Sequence, residues 1–173
     1  GDKTAHESGR LSLNPIVHID PLGTIILPTV LYFTTGTPLG WAKPVPVNPY
    51  NFKNPRQGML WVGLAGPGSN LLLAAILSVF VHLAAVPAPF IRIAALAAAV
   101  NIFLAVFNMI PIPPLDGSRV LSGLLPRHLA FQYNRLEPYG LIVVFILLYI
   151  GAMRLIVHPV AGLIGSLLGL NMW

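Results

Sequence analysis

Four polar side chains lie inside otherwise apolar stretches of the sequence, where a polar group is unfavourable unless it has a partner or a function. They are Asn70, His82, Asn101 and Asn108. Asn101 and Asn108 are two helical turns apart and share one face of a helix predicted over residues 90–110. We expect that face to look inward, and spacing alone favours asparagines that bridge helices by hydrogen bonds. His82 is interpreted as a histidine near a membrane interface.

One carboxylate follows these stretches in a setting that suits metal binding or proton transfer. Asp116 is the only acidic residue between Asp20 and Glu137, and the segment NMIPIPPLDG at residues 108–117 leads into it. A lone acid after an apolar stretch is ordinarily a helix cap or a surface charge. Here the prolines from Pro111 onward restrict the backbone and hold the carboxylate against the asparagine face. This favours a metal ligand or a proton acceptor.

A second motif, GPGSN at residues 66–70, lies in the longest uncharged stretch. Gly66 and Pro67 predict either a kink in a helix or a point where another backbone approaches closely. A proline also frees a carbonyl that needs another donor, and the side chain of Asn70 is a candidate for it. A kink that serves packing alone is the simpler interpretation, and it is compatible with a nearby site.

The composition indicates the environment in which these residues act. Of 173 residues, 9% are charged and 55% are hydrophobic, against about 25% charged in soluble domains, and the mean hydropathy is +0.77. This excludes disorder and an ordinary soluble domain. The absence of cysteine excludes disulfides, thiolate metal sites and thiol catalysis, so a metal would need histidine or carboxylate ligands. The net charge of +5 is better explained by basic residues flanking membrane spans than by nucleic-acid binding.

Long uncharged stretches predict the elements that position these residues. Those at residues 57–91, 93–115 and 138–153 approach or exceed the roughly 20 residues of a spanning helix, and we take three spans as the minimum. The predicted fold is an all-α polytopic membrane protein with about three to five embedded helices in a single membrane domain. The predicted embedded segments are residues 22–36, 58–86, 90–111 and 138–157, with a short tail helix at 160–172.

Two polar connectors separate the apolar stretches. The first, at residues 37–57, contains five prolines and predicts extended structure over residues 41–52, near the site. The second lies at residues 112–137. If the segments starting at Gly58 and Phe90 form a hairpin, both connectors lie on one side of the membrane. The positive-inside rule makes that side cytoplasmic, because the connectors carry most of the basic residues: Lys43, Lys53, Arg56, Arg119, Arg127 and Arg135.

Taken together and in order, GPGSN at residues 66–70 and NMIPIPPLDGSRVL at 108–121 resemble two signature motifs of the site-2 protease family, the intramembrane zinc metalloproteases. Residues 9–28 and 40–59 are also similar to the short prokaryotic branch of that family. The resemblance covers nearly the whole chain and is weakest after residue 137. It implies hydrolysis of peptide bonds in or near the membrane by a zinc-activated water. It also implies membrane proteins as substrates, membrane lipid as surroundings and a role in regulated intramembrane proteolysis.

The resemblance also implies roles for individual residues. Asp116, in the LDG motif, matches the family's third zinc ligand. Asn70 and Asn108 match asparagines near the substrate strand or in the hydrogen-bond network of the site. The supporting residues of the two motifs are Gly66, Pro67, Pro111 and Gly117.

The family's HExxH helix supplies two zinc-binding histidines and a glutamate as general base, and it has no match in these residues. Histidine occurs at positions 6, 18, 82, 128 and 158, and no two of these are four apart. His6 precedes Glu7, but Arg10 stands where the second histidine should be and has no lone pair for a metal. We therefore predict one of the three zinc ligands and no catalytic base in this chain. On this interpretation it is the C-terminal part of an active protease whose HExxH helix lies upstream of Gly1.

Two other interpretations stay open at this point. A degenerate relative would keep the membrane scaffold and bind peptides or partner helices without cleaving them, although a buried carboxylate without zinc is then unfavourable. A small transporter component is compatible with the polar face of Asn101 and Asn108 but leaves both motifs unexplained. His18 and Asp20 are interpreted as structural.

Overall fold

The computed structural model describes residues 2–12, 14–35, 40, 42–43, 45–83 and 87–170. Within these ranges the chain is helical and contains no strand, which confirms the predicted all-α fold. Contacts divide the chain into two compact units, Gly1–Pro55 and Arg56–Trp173. The predicted site residues all lie in the second unit.

The first unit is built from short helical turns that begin at capping residues. Helix α1 covers Thr4–Glu7, a 3-10 turn covers Pro15–His18, and a π-helical turn at Pro21–Ile26 leads directly into α2 at Leu27–Thr35. The carboxylate of Asp20 caps the π-helical turn by accepting the N–H groups of Leu22 and Gly23, at 3.0 Å each. The ring of His18 bonds the carbonyl of Ser12 at 3.0 Å. His18 and Asp20 therefore both make local structural contacts.

The proline-rich connector has no α-helix among its described residues before Pro55. Asn48 is extended (φ −101°, ψ 107°) and caps a 3-10 turn at Pro49–Asn51. Trp41 and Pro44, which belong to the predicted extended range, lie outside the described residues. Helix α3 begins at Pro55, inside the predicted connector. Proline is favoured at the first position of a helix, where its missing N–H would have no partner within the helix.

Among the described residues, two helices are long and apolar enough to cross a membrane: α3 at Pro55–Val81, with 27 residues, and α4 at Ala88–Asn108, with 21. Only 17% of the most apolar part of α3 and 28% of that of α4 is buried within the protein. The outward faces carry large apolar side chains such as Trp61, Leu72 and Leu96, which are 64% to 68% exposed. Such surfaces are unfavourable in water and suit lipid.

Two short helices follow α4: α5 at Asp116–Leu124 and α6 at Arg127–Asn134. Helix α5 packs against the first half of α3, where a Cβ atom on Gly63 would lie 2.8 Å from the carbonyl oxygen of Asp116. At the other end of α5, the guanidinium of Arg56 donates to backbone carbonyls, including that of Gly123. Residues of α3 therefore hold α5 at both ends.

The last two apolar helices, α7 at Glu137–Tyr149 and α8 at Ala152–Leu167, meet at a sharp bend. The angle between α7 and the Arg154–Leu167 part of α8 is 82°, so the pair is either one broken span or a re-entrant loop. Gly151 lies in the bend with a φ of 74°, which glycine adopts without strain. The described residues therefore provide two spans, or up to three, against the predicted minimum of three.

The bend also corrects the predicted boundaries in this region. The sequence predicted one embedded segment to residue 157 and a separate tail helix at 160–172, but the break lies at residues 150–151 and α8 continues through Pro159. Helix α8 ends at Leu167 because Gly169, with a φ of 71°, forms a Schellman turn in which the N–H of Leu170 donates to the carbonyl of Gly165 at 2.9 Å. Residues 171–173 lie outside the described residues.

The core of the second unit lies where α4 packs along α8. Its fully buried side chains include Ala98 and Ile102 of α4 and Val157 and Ala161 of α8. Alanine at such a contact lets two helices approach closely, which favours their association in lipid. The hydroxyl of Ser78 on α3 donates to the carbonyl of Leu168 and joins α3 to the end of α8.

We expect Gly63→Ala to lower the thermal stability of the chain in detergent, because the added methyl group meets the backbone of α5. Overpacking of this kind reduces the free energy of unfolding by roughly 1–3 kcal/mol. Gly68→Ala is the matched control, since a Cβ atom there would meet nothing within 4 Å. Because alanine has a higher helix propensity than glycine, Gly68→Ala should leave the free energy of unfolding unchanged or raise it by up to about 1 kcal/mol. Equal melting temperatures for the two variants would contradict the close contact of α3 with α5.

Candidate functional site

The segment between α4 and α5 has a restricted backbone, as expected from its three prolines. A hydrogen bond from the N–H of Leu115 to the carbonyl of Ile112, at 3.0 Å, closes a turn just before α5. Gly117 lies directly against the carbonyl of Met109, where any Cβ atom would overlap. Asp116 is the first residue of α5 and lies between these two contacts, so its backbone is held on both sides.

The carboxylate of Asp116 lies against α3. A Cβ atom on Gly66 would be 2.7 Å from Oδ2 of Asp116, so the first glycine of GPGSN leaves the space that the carboxylate occupies. Asn70 is four residues beyond Gly66 and therefore lies one turn along the same side of α3. The fold thus brings the two sequence motifs into contact.

The charge of Asp116 is only partly compensated. Its ion-pair partner is Arg119, one turn along α5, with Nη1 at 3.7 Å from Oδ1, and the Asp116 side chain is 27% exposed. Burial raises the pKa of the Asp116 carboxyl above its ordinary value, and the nearby Arg119 acts in the opposite direction. A partly desolvated carboxylate with a distant counter-charge is a suitable ligand for a cation.

The sequence left two interpretations of GPGSN open, a kink or a close approach of another backbone. Pro67 is buried and α3 continues through it as one helix, and the backbone of Asp116 approaches α3 closely at Gly63. The hydroxyl of Ser69 donates to the carbonyl of Gly66 at 2.7 Å, whereas the carbonyl that loses its helical N–H donor at Pro67 is that of Gly63. Asn70 is half-buried on the side of α3 that faces α5.

The side chains of Asn101 and His82 each bond a backbone carbonyl four residues earlier in the chain. Nδ2 of Asn101 donates to the carbonyl of Ala97 at 2.8 Å, whereas the sequence predicted a bridge between helices. Nδ1 of His82 lies 2.7 Å from the carbonyl of Ser78. Asn108 is half-buried and is the last residue of α4, at the start of the proline-containing turn.

The part of the chain that the structure describes contains no group of three His, Cys, Asp or Glu side chains placed to hold a metal ion. Asp116 has the chemistry of one zinc ligand, since it offers carboxylate oxygens in a partly desolvated position. The two histidines that the resemblance implies have no counterpart among these residues. The described residues therefore do not provide a complete set of zinc ligands.

Two features beside the turn were not predicted from the sequence. Oη of Tyr133, on α6, donates to the carbonyl of Pro111 at 2.9 Å. An apolar groove of about 460 Å³ lies next to the same turn, with Val106, Ile156 and Val160 among its lining residues. Neither has a local signal, because Tyr133 is 22 residues from Pro111 and the groove combines side chains of α4 and α8.

Comparison with known proteins identifies the family. Residues 81–151 match Peptidase family M50. The chain is also 40% identical over 156 residues to "Putative zinc metalloprotease YwhC" of Bacillus subtilis strain 168, an alignment that covers 85% of this chain and 68% of that protein. The chain belongs to this family, the site-2 proteases. It is 30% identical over 160 residues to "Putative zinc metalloprotease Rip2" of Mycolicibacterium smegmatis, which covers 89% of this chain and 59% of that protein. No solved structure gives a significant match.

Membership of the M50 family confirms what the two motifs indicated and places the chain in a membrane-embedded family of zinc metalloproteases, in agreement with its two candidate spans. The matched range contains Asn108 and Asp116, whereas GPGSN lies outside it. The chain spans 68% of the length of one M50 relative and 59% of the other.

We expect Asp116→Asn to raise the melting temperature of this chain at neutral pH in the presence of a chelator. A raised pKa means that the folded state binds this proton more tightly than the unfolded state does. The carboxyl therefore contributes stability below its ordinary pKa of 3.8 and loses that contribution as the pH rises through the folded-state value. The amide carries no charge at any pH, so the gain should shrink on acidification.

Thermal unfolding in detergent from neutral to acidic pH measures this difference. Glu137→Gln changes an exposed carboxylate at the start of α7 and should show no such gain. A lower melting temperature for Asp116→Asn at neutral pH would contradict the desolvation of its carboxylate.

Proposed function

We propose that this chain carries the LDG portion of the active site of an intramembrane zinc metalloendopeptidase that cleaves membrane-associated proteins. The contact of the Asp116 carboxylate with Gly66 carries the proposal, because it joins both family motifs around one partly desolvated carboxylate. Membership of the M50 family supports the same chemistry.

Asp116 would be the zinc ligand that these residues supply. The other two ligands and the general base would come from an HExxH helix outside the 173 residues, so the chain alone is inactive on this proposal. The relatives' greater length supports it, since this chain spans 68% and 59% of them. Zinc, when bound, supplies a Lewis acid that activates water for peptide hydrolysis.

The chain's own residues would hold the carboxylate and shape the approach of the substrate. Gly66 and Gly117 admit the close contacts on either side of Asp116. Asn70 and Asn108 offer amide donors and acceptors that suit an extended peptide backbone. The apolar groove beside the turn supports an apolar, membrane-associated substrate.

We further propose that the protein is a multi-pass protein of the cell membrane, with the connectors at residues 37–57 and 112–137 on the cytoplasmic side. The two long apolar helices support its insertion, and the basic residues of the connectors support this orientation. Membrane lipid and membrane-protein substrates are the proposed partners, in regulated intramembrane proteolysis.

Metal content tests the proposal most directly. We expect elemental analysis to find zinc in the complete protein purified in detergent and not in the 173-residue chain alone. In the complete protein, Asp116→Asn should lower zinc affinity and proteolysis by more than the roughly 10- to 100-fold typical of outer-shell partners, with membrane insertion intact. Glu137→Gln is the control and should keep the zinc affinity and the proteolytic activity of the wild type. Full zinc content in purified Asp116→Asn would overturn the ligand assignment. Absence of zinc from both the complete protein and the 173-residue chain would favour a non-catalytic scaffold.

Asn70→Ala should cause a smaller loss, because it removes a hydrogen-bonding group and no ligand. We expect kcat/KM for peptide cleavage by the complete protein to fall roughly 3- to 10-fold, the effect of losing one hydrogen bond. Asn101→Ala is the matched control, since that amide bonds to its own helix, and its kinetics should match the wild type. Unchanged cleavage by Asn70→Ala would assign Asn70 to packing.

A further inference from the structure

Tyr133 reaches the turn before Asp116 from a separate helix. Its Oη donates a hydrogen bond to the carbonyl of Pro111 at 2.9 Å. The hydroxyl of Ser118, two residues beyond Asp116, donates to the carbonyl of Leu115 at 2.7 Å. Pro111 precedes Asp116, so the phenol contacts the arm of the turn that leads into the carboxylate.

This turn depends on tertiary contacts because its prolines provide no N–H donors. Gly140 of α7 packs directly against the carbonyl of Pro113, with no room for a Cβ atom. The carbonyl of Pro111 has the phenol of Tyr133 as its partner. Two helices that follow Asp116 in the chain therefore hold the segment that precedes it.

We infer that Tyr133 is a positioning residue for Asp116. The phenol of Tyr133 anchors Pro111, and so holds the turn that keeps the carboxylate of Asp116 directed toward Gly66. The inference rests on the proposed role of Asp116 as a zinc ligand. Ligating and catalytic groups need to be held within about 0.5 Å of their working geometry. Tyr133 acts on that geometry through the backbone.

Tyr133→Phe in the complete protein tests the inference, since it removes the hydroxyl and keeps the ring. Zinc affinity, measured by competition with a chromogenic chelator, should fall roughly 10-fold, the lower end of the range for outer-shell partners. kcat should fall by a similar factor with KM unchanged, and added zinc should restore part of the activity. Tyr149→Phe is the matched control, because Tyr149 is 88% exposed at the end of α7. Wild-type zinc affinity and kcat in Tyr133→Phe would overturn the inference.

Asp116→Asn separates a failure of this inference from a failure of the proposed function. Retained zinc in Asp116→Asn means that the ligand assignment is wrong. Lost zinc in Asp116→Asn together with wild-type affinity in Tyr133→Phe means that only the positioning role is wrong. In the double variant, Tyr133→Phe should add no further loss of zinc affinity, because it acts through Asp116. Additive losses would overturn the inference.

Hydrogen exchange on the 173-residue chain gives a readout that needs neither zinc nor activity. The amides of Leu115 and Ser118 donate to the carbonyls of Ile112 and Leu115 and so report on the turn. Tyr133→Phe should speed their exchange roughly 5-fold, as expected for the loss of one hydrogen bond, and Tyr149→Phe should not. Unchanged exchange in Tyr133→Phe would overturn the inference.

Discussion

The contact between one carboxylate and one face of α3 sets the geometry of the second unit. Oδ2 of Asp116 occupies the space that a side chain at Gly66 would fill, and the carbonyl of Asp116 lies where a Cβ atom of Gly63 would be. These glycines are three residues apart and share a helix face, along which α5 lies. Burial opposes the charge of Asp116, and Arg119 offsets only part of that effect. An unfavourable charge retained at a well-defined contact is typical of a functional position.

The other helices of the second unit hold this contact in place. In lipid the hydrophobic effect does not drive apolar helices together. Close packing through small residues and a few polar contacts must therefore stabilise their association. Alanines such as Ala98 bring α4 against α8, and Gly140 brings α7 against the turn before Asp116. Arg56 binds the far end of α5. Small residues therefore allow the helices to pack, and two of them, Gly66 and Gly140, also lie against the carboxylate or the turn that precedes it.

Close contacts next to Asp116 occur at glycines that the sequence singled out, because prolines and glycines restrict or permit backbone conformations locally. Gly66 and Gly117 were predicted as supporting residues; Gly66 lies against the Asp116 carboxylate, and Gly117 lies against the carbonyl of Met109. The hydrogen bonds were harder to predict. Asn101 bonds to the carbonyl of Ala97 in its own helix, where a bridge between helices was predicted, because short polar side chains bond nearby backbone as readily as distant groups.

The sequence by itself determined the helical class, the apolar stretches, the two family motifs and the absence of HExxH, since each follows from residue types and spacing within a short window. Only the tertiary structure decided that Asp116 meets Gly66, that Tyr133 meets Pro111 and that the chain bends near Gly151. The physical reason is that such contacts depend on how complete helices pack in three dimensions. Local hydropathy and proline patterns indicate where the helices lie in the sequence. They do not indicate which side chains of different helices come into contact.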